Sequence, residues 1–208
     1  NTAVGYQALK DVTTGERNTA VGRNVLSQTS GSKNTALGMN CMEQNSSGEQ
    51  NTAVGTRALV NNTTANNNTA VGNDALFTNT TGTKNTAVGS FALDANTTGN
   101  NNTAVGFEAS TATTTAYENV AMGTQALQAA TTGRQNVAVG YRALYSDTTG
   151  KENVAIGQNT GYSTTTGQEN TYVGQSAGYH VTTGHYNTFI GRKAGQATTT
   201  SSYNTAVG

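Results

Sequence analysis

The pentapeptide Asn-Thr-Ala-Val-Gly, or a close variant of it, returns along the entire chain. Copies begin at Asn1, Asn18, Asn34, Asn51, Asn68, Asn85, Asn102, Asn119, Asn136, Asn153, Asn170, Asn187 and Asn204. The interval is 17 residues, with a single interval of 16. A motif returning at so short a fixed period is the signature of a repeat architecture. One such unit carries too few apolar side chains to offset the entropy of ordering itself, so it must share a core with its neighbours. No room remains between copies for a separately folded insert. Residues 1–208 therefore read as one array of twelve full repeats and the start of a thirteenth, expected to be a segment of a longer chain.

Numbering each repeat from its Asn as slot one separates the constant positions from the variable ones. Slot one is always Asn and slot five always Gly, as at Asn18 and Gly22, Asn51 and Gly55, Asn85 and Gly89, and Asn136 and Gly140. An unvarying Gly predicts a corner with positive φ, and a column of Asn on successive coils predicts a ladder of side-chain hydrogen bonds. The three residues between them are small or β-branched, which predicts a short strand over slots two to four. Side chains alternate along a strand, so slots two and four share a face. The constant aliphatic at slot four, as in Val4, Val54, Val88 and Val139, marks that face as buried. Val120, Val137 and Val154, replacing the slot-two Thr, agree with that orientation. Slot three, where Tyr172 and Phe189 replace Ala, is then expected to face outward.

A second apolar pair, usually Ala-Leu, occupies slots eight and nine, with Leu9, Leu59, Leu93 and Leu144 as examples. Neighbours on extended backbone point oppositely, so either the chain turns here or one member of the pair meets a second chain. Thr-Thr-Gly, as at Thr148 to Gly150, reads as a strand end closing into a turn. Every Lys, Arg, Asp and Glu falls in slots six, seven, ten to twelve, sixteen or seventeen. That sorting predicts solvent at those slots and structure at the others. The fold expected is an all-β parallel β-solenoid of 17-residue coils. Twelve coils at about 4.8 Å each make a rod of about 58 Å.

The pattern Asn-Thr-Ala-Val-Gly-x-x-Ala-Leu followed by Thr-Thr-Gly resembles the repeats of tail-fibre-domain proteins of phages and bacteria. It is also similar to the head repeats of trimeric autotransporter adhesins, although the repeat here is longer and carries the additional Ala-Leu segment. The resemblance covers the whole chain. It implies a left-handed parallel β-roll, a homotrimer, and an extracellular fibre on a cell surface or virion; a surface glycan or host receptor is a separate candidate partner, which the resemblance does not identify. The apolar pair at slots eight and nine offers such an oligomer a seam, and cyclic symmetry would close it. End-to-end growth into a filament is a further form of self-association that the repeat symmetry suggests.

Eleven basic residues balance eleven acidic ones, so the chain lacks the basic footprint of a nucleic-acid binder. No stretch resembles a membrane span, and no membrane insertion of this segment is expected. No enzyme activity and no cofactor are expected, because no nucleophile, base and orienting group recur together. His180 and His185 lie near one turn but make too small a set for a metal centre. Cys41 stands in slot eight where Ala is usual, and reads as a small buried hydrophobe.

Most tyrosines fall late in the chain, where Gly161, Gly178 and Gly195 replace the slot-nine Leu. The adjoining Tyr162 and Tyr179 are expected to repack that space, while Tyr186 and Tyr203 are candidates for surface recognition. Asn-x-Ser/Thr triplets at Asn45, Asn62, Asn79 and Asn96 are candidate glycosylation sites in exposed turns. The alternative to a structural fibre is a monomeric Thr-rich solenoid that binds ice. The adjacent Thr pairs argue against it, since alternation sends one of each pair inward.

Overall fold

The computed structural model describes residues 1–208. Slots two to four form thirteen three-residue strands, from β1 (Thr2–Val4) through β7 (Thr103–Val105) to β13 (Thr205–Val207). They lie in one parallel sheet in chain order. Equal slots face one another, as Ala53 faces Ala70 and Tyr172 faces Phe189. The 16-residue interval keeps this register, Thr19 pairing with Thr35, so the missing residue is lost outside the strand. The chain is a β-solenoid in which each repeat is one coil and contacts only its neighbours.

The coil closes in so few residues because several of them are left-handed. The slot-five glycines hold φ between 124° and 143°. A Cβ on Gly106 would meet the carbonyl carbon of Gly123 in the next coil at 2.6 Å, so stacking and conformation both require Gly here. Slots seven, nine and seventeen are also left-handed although they are rarely glycine, as in Arg57 (φ 57°), Leu59 (φ 51°) and Asn67 (φ 61°). Each such residue costs about 1–2 kcal/mol. Hydrogen bonds from coil to coil offset that cost around most of the circumference, including Leu59 N–H to Ala75 C=O at 3.0 Å and Arg57 N–H to Met39 C=O at 2.9 Å.

The left-handed residue at slot nine also decides where the Ala-Leu pair goes. Alternation holds only for extended backbone, and the corner brings both side chains into the same interior: Ala58 and Leu59, Ala92 and Leu93, and Ala143 and Leu144 are fully buried. Leu9 at the first coil is partly buried against the same core. The pair is a corner inside one chain and is not a seam between chains.

The strand faces the opposite way from the sequence expectation. Slot three points inward: Ala20, Ala53, Ala87 and Ala138 have no exposed surface, and Tyr172 and Phe189 are buried with them. Val4, Val54, Val88 and Val139 at slot four, with the Thr or Val of slot two, point outward. The interior is thin, and the slot-nine Leu reaches across it to the back of the strand, so only a methyl group fits at slot three. Where slot nine becomes Gly, that room is released. A Cβ at Gly178 would meet the Tyr172 ring at 2.7 Å, and one at Gly161 would meet it at 2.8 Å. Tyr172 and Phe189, not Tyr162 and Tyr179, do the repacking.

Candidate functional surface

Two internal ladders of Asn hold the coils in register. In the first, each slot-one Asn accepts the backbone N–H of the next slot-one Asn and donates its amide to a slot-fifteen carbonyl. Asn85 Oδ1 accepts from Asn102 N–H at 2.9 Å, and Asn85 Nδ2 donates to Gly99 C=O at 2.8 Å. Asn18, Asn51 and Asn136 are buried and bonded in the same way. Both halves of the amide are used, which explains why no other residue occupies slot one: Asp lacks the donor and Ser lacks the reach.

The second ladder was not foreseen in the sequence. Asn45, Asn62, Asn79 and Asn96 in slot twelve are fully buried. Asn62 Nδ2 donates to Asn45 Oδ1 at 2.6 Å and Asn96 Nδ2 to Asn79 Oδ1 at 2.8 Å. As glycosylation sites these four are corrected: their amide nitrogens are inside the folded coil and committed to hydrogen bonds. The signal was present, since Asn stands in this slot through four consecutive repeats, but a turn reading hid it.

Slot twelve also overturns the sorting of charge. Asp147 continues this column in place of Asn and has no exposed surface. Its Oδ1 accepts from Gly150 N–H at 2.7 Å, while its Oδ2, the Thr164 hydroxyl and the Tyr172 hydroxyl have no partner. Burial pushes its carboxyl up to about 7, only partly opposed by that backbone hydrogen bond. Asp74 in slot seven is likewise buried.

The late tyrosines form ladders outside the core. Tyr145, Tyr162 and Tyr179 stack at 5.0 Å between centroids, within 5° of parallel. Tyr186 and Tyr203 stack at 4.9 Å between centroids, and both remain exposed. Cys41 is buried and its thiol contacts the Ala53 carbonyl oxygen at 3.3 Å. Desolvation pushes that thiol up to about 12, against a smaller opposing backbone hydrogen bond. His180 stands edge-on to Tyr179 at 4.8 Å, and His185 Nδ1 accepts from Gln168 N–H at 3.0 Å, so the two histidines serve different neighbours.

What remains as a candidate surface is the outward face of the strands. Thr or Val at slot two and Val, Leu, Met or Ile at slot four run side by side over all thirteen strands, with no charge among them. Within the array, Leu37, Met122, Ile156 and Ile190 stay 42–46% exposed. Tyr6, Met39, Phe107 and Tyr141 at slot six are exposed beyond the glycine column, in a row otherwise polar and including Arg23 and Arg192. Every large exposed apolar side chain lies in slots four, six, sixteen or seventeen, within three residues of a strand. Exposed apolar side chains gathered on one side of a molecule are a common feature of interaction surfaces.

The fold and this face define a parallel β-solenoid with one apolar wall. No protein-family model, no curated protein and no solved structure matches the chain.

Proposed function

We propose that the chain is the shaft or head of an extracellular fibre, a homotrimer of solenoids whose strand faces turn toward a common axis and which gives rigid reach and attachment on a cell surface or virion. The observation that carries this is the uncharged Thr and aliphatic wall running unbroken along thirteen strands. With strands about 4.8 Å apart and about 10 Å long, the wall presents on the order of 600 Å². One of its two rows, slot two, is Thr in ten of the thirteen strands, so the apolar part is on the order of 300 Å², at the lower end of the patches of about 300–600 Å² found on monomers. Two such walls in contact approach the area of a standard specific interface, about 1,200–2,000 Å² in total. A second copy of the chain fits because its side-chain rows repeat at the same spacing, so each slot-four residue finds an equivalent neighbour. Three-fold closure covers each wall while leaving the charged slots in water, and it stops sideways growth. Light scattering behind a sizing column is expected to return the mass of three chains, and Val88→Asp with Met122→Asp is expected to return one. A wild-type chain that runs as a monomer refutes the trimer.

One observation favours ice binding as a second reading. The slot-two Thr rank points outward on the sheet, where the sequence placed it inward. A monomer that shows thermal hysteresis, abolished by Thr52→Tyr with Thr86→Tyr, would establish that use of the wall; hysteresis is not expected of a trimer whose wall is covered.

A further inference from the structure

Slot seventeen runs Glu118, Gln135, Glu152 and Glu169, and then turns aromatic at Tyr186 and Tyr203. The core has no use for rings here, since both are exposed and earlier coils hold Arg17, Lys33, Gln50 and Asn67 in the same slot. The two phenol rings stack at 4.9 Å between centroids, with 12° between their planes. The backbone fixes the pairing. Both residues are left-handed, at φ 56° and 61°, so their side chains leave the coil in the same direction. Tyr186 N–H donates to Gln168 C=O at 3.1 Å and Tyr203 N–H to His185 C=O at 3.0 Å, so neither residue can slide past the other.

We propose that Tyr186 and Tyr203 are a site of oxidative modification, where a one-electron oxidant of the peroxidase class, using hydrogen peroxide, joins the two rings into a dityrosine that bridges successive coils. Each phenol gives up one electron and one proton, which leaves a radical shared between its oxygen and its ring carbons. The unpaired electron occupies an orbital perpendicular to the ring, so two rings lying face to face have the overlap that coupling needs. A Cε of one ring bonds to a Cε of the other. The hydrogens on those two carbons then leave as protons while the phenol oxygens take protons back from water, which restores both aromatic rings. The two electrons and two protons lost by the pair reduce one hydrogen peroxide to two waters. Because the fold holds the reactants together, coupling within the chain is unimolecular and outruns coupling between chains.

Glu169, one coil earlier in the same column, supports the first step. It raises the Tyr186 phenol above its ordinary range through a side-chain hydrogen bond and through its charge. The phenol is therefore protonated at neutral pH, and its proton has an acceptor at hand when the electron leaves. The other tyrosines each lack a requirement. Tyr6, Tyr117 and Tyr141 are exposed, but Tyr117 and Tyr141 meet the guanidinium groups of Arg134 and Arg142, and no second phenol stacks on any of the three. Tyr172 is buried against Phe189, which has no phenol to oxidise. Tyr145, Tyr162 and Tyr179 stack as closely but are half-buried, with Arg142 over one end at 5.3 Å and His180 against the other at 4.8 Å. Rings joined at Cε must twist about their new bond, and that packed ladder denies them the room that the exposed pair has. The bridge would close one 17-residue turn of the solenoid covalently, and such a tie raises stability by restricting the unfolded chain. This goes beyond the fibre reading, and its chemistry needs only one chain.

Treating the full chain, in dilute solution at neutral pH, with a haem peroxidase and hydrogen peroxide tests it. Dityrosine fluorescence is expected to appear while the intact mass falls by two hydrogens and the protein still runs as one chain on a denaturing gel. Peptide mapping is expected to find Tyr186 joined to Tyr203, and the treated protein to unfold at higher denaturant concentration than the untreated. Tyr203→Phe is expected to abolish the bridge at an unchanged melting temperature, since Phe keeps the stack and loses the phenol. Tyr6→Phe is expected to leave the bridge intact. Undiminished dityrosine in Tyr203→Phe, a different tyrosine pair joined first, or chains joined to one another in place of an internal bridge would each overturn the proposal. Slot seventeen stays in water in a monomer and in the trimer described above, so the assembly state bears on none of these outcomes.

Discussion

Replacing Asp147 by Asn should make the protein more stable at neutral pH and remove much of its pH dependence. The Asp147 carboxyl is raised from an ordinary 3.8 to about 7, chiefly by desolvation. Below the unfolded value both states carry the proton and the buried group costs little. Between the two values the unfolded chain ionises while the folded chain does not, so stability falls as pH rises, and the loss is complete above the folded value. At about 1.4 kcal/mol per pH unit, a displacement of this size is worth on the order of 4 kcal/mol. For a chain of this length each kcal/mol moves the melting temperature by about 2–4 °C, which gives a fall on the order of 10 °C between pH 4 and pH 7.5. Asn in the same slot donates to the carbonyl three residues on, as Asn79 does to Gly82 at 3.0 Å. The variant should therefore melt above the wild type at pH 7.5 and keep only the smaller slope left by other groups such as Asp94, whose carboxyl is also raised by burial. Circular dichroism melts of both proteins at four pH values provide the measurement. A wild-type melting temperature that stays level, or a variant that keeps the wild-type slope, would refute the buried-carboxyl reasoning.

Gly89→Val should disrupt the stack at two coils, because the new side chain meets the Gly106 carbonyl and the backbone holds φ 136°; an unchanged melting temperature would contradict this. The exchange of volume between slots three and nine is testable as a double-mutant cycle. Tyr172→Ala alone should cost about 3–5 kcal/mol through the cavity it leaves. Gly178→Leu alone should fold poorly against the Tyr172 ring, and the double variant, which has the majority Ala and Leu pair, should recover most of the loss. Denaturant midpoints of the three variants measure the coupling, and simple additivity would show that the two sites do not share one space.

The period alone was enough to establish a parallel stack with one coil per repeat, because hydrogen-bonding groups returning at equal intervals can be satisfied together only when like meets like. The first Asn ladder and the Gly corner were legible for the same reason: at those slots a single residue type meets a requirement repeated in every coil. Slot-nine burial was legible as apolar character but not as direction, since strand alternation does not apply to left-handed Leu59 or Leu93.

The direction of the strand itself lay outside a reading of hydrophobicity. Val88 looks more like core than Ala87 does, yet the space behind the strand is already filled by Leu93, and only a methyl group fits. The paired changes at Tyr172 with Gly178 and Phe189 with Gly195 recorded this in the sequence, as a trade of volume across the interior. What only the tertiary structure decided is which side of the coil is wet. That one fact moved the valines from core to outer wall, withdrew Asn45, Asn62, Asn79 and Asn96 from solvent, and buried Asp147. Side chains compete for an interior whose width is set by backbone corners, and a sequence states their chemistry but not the room that the corners leave.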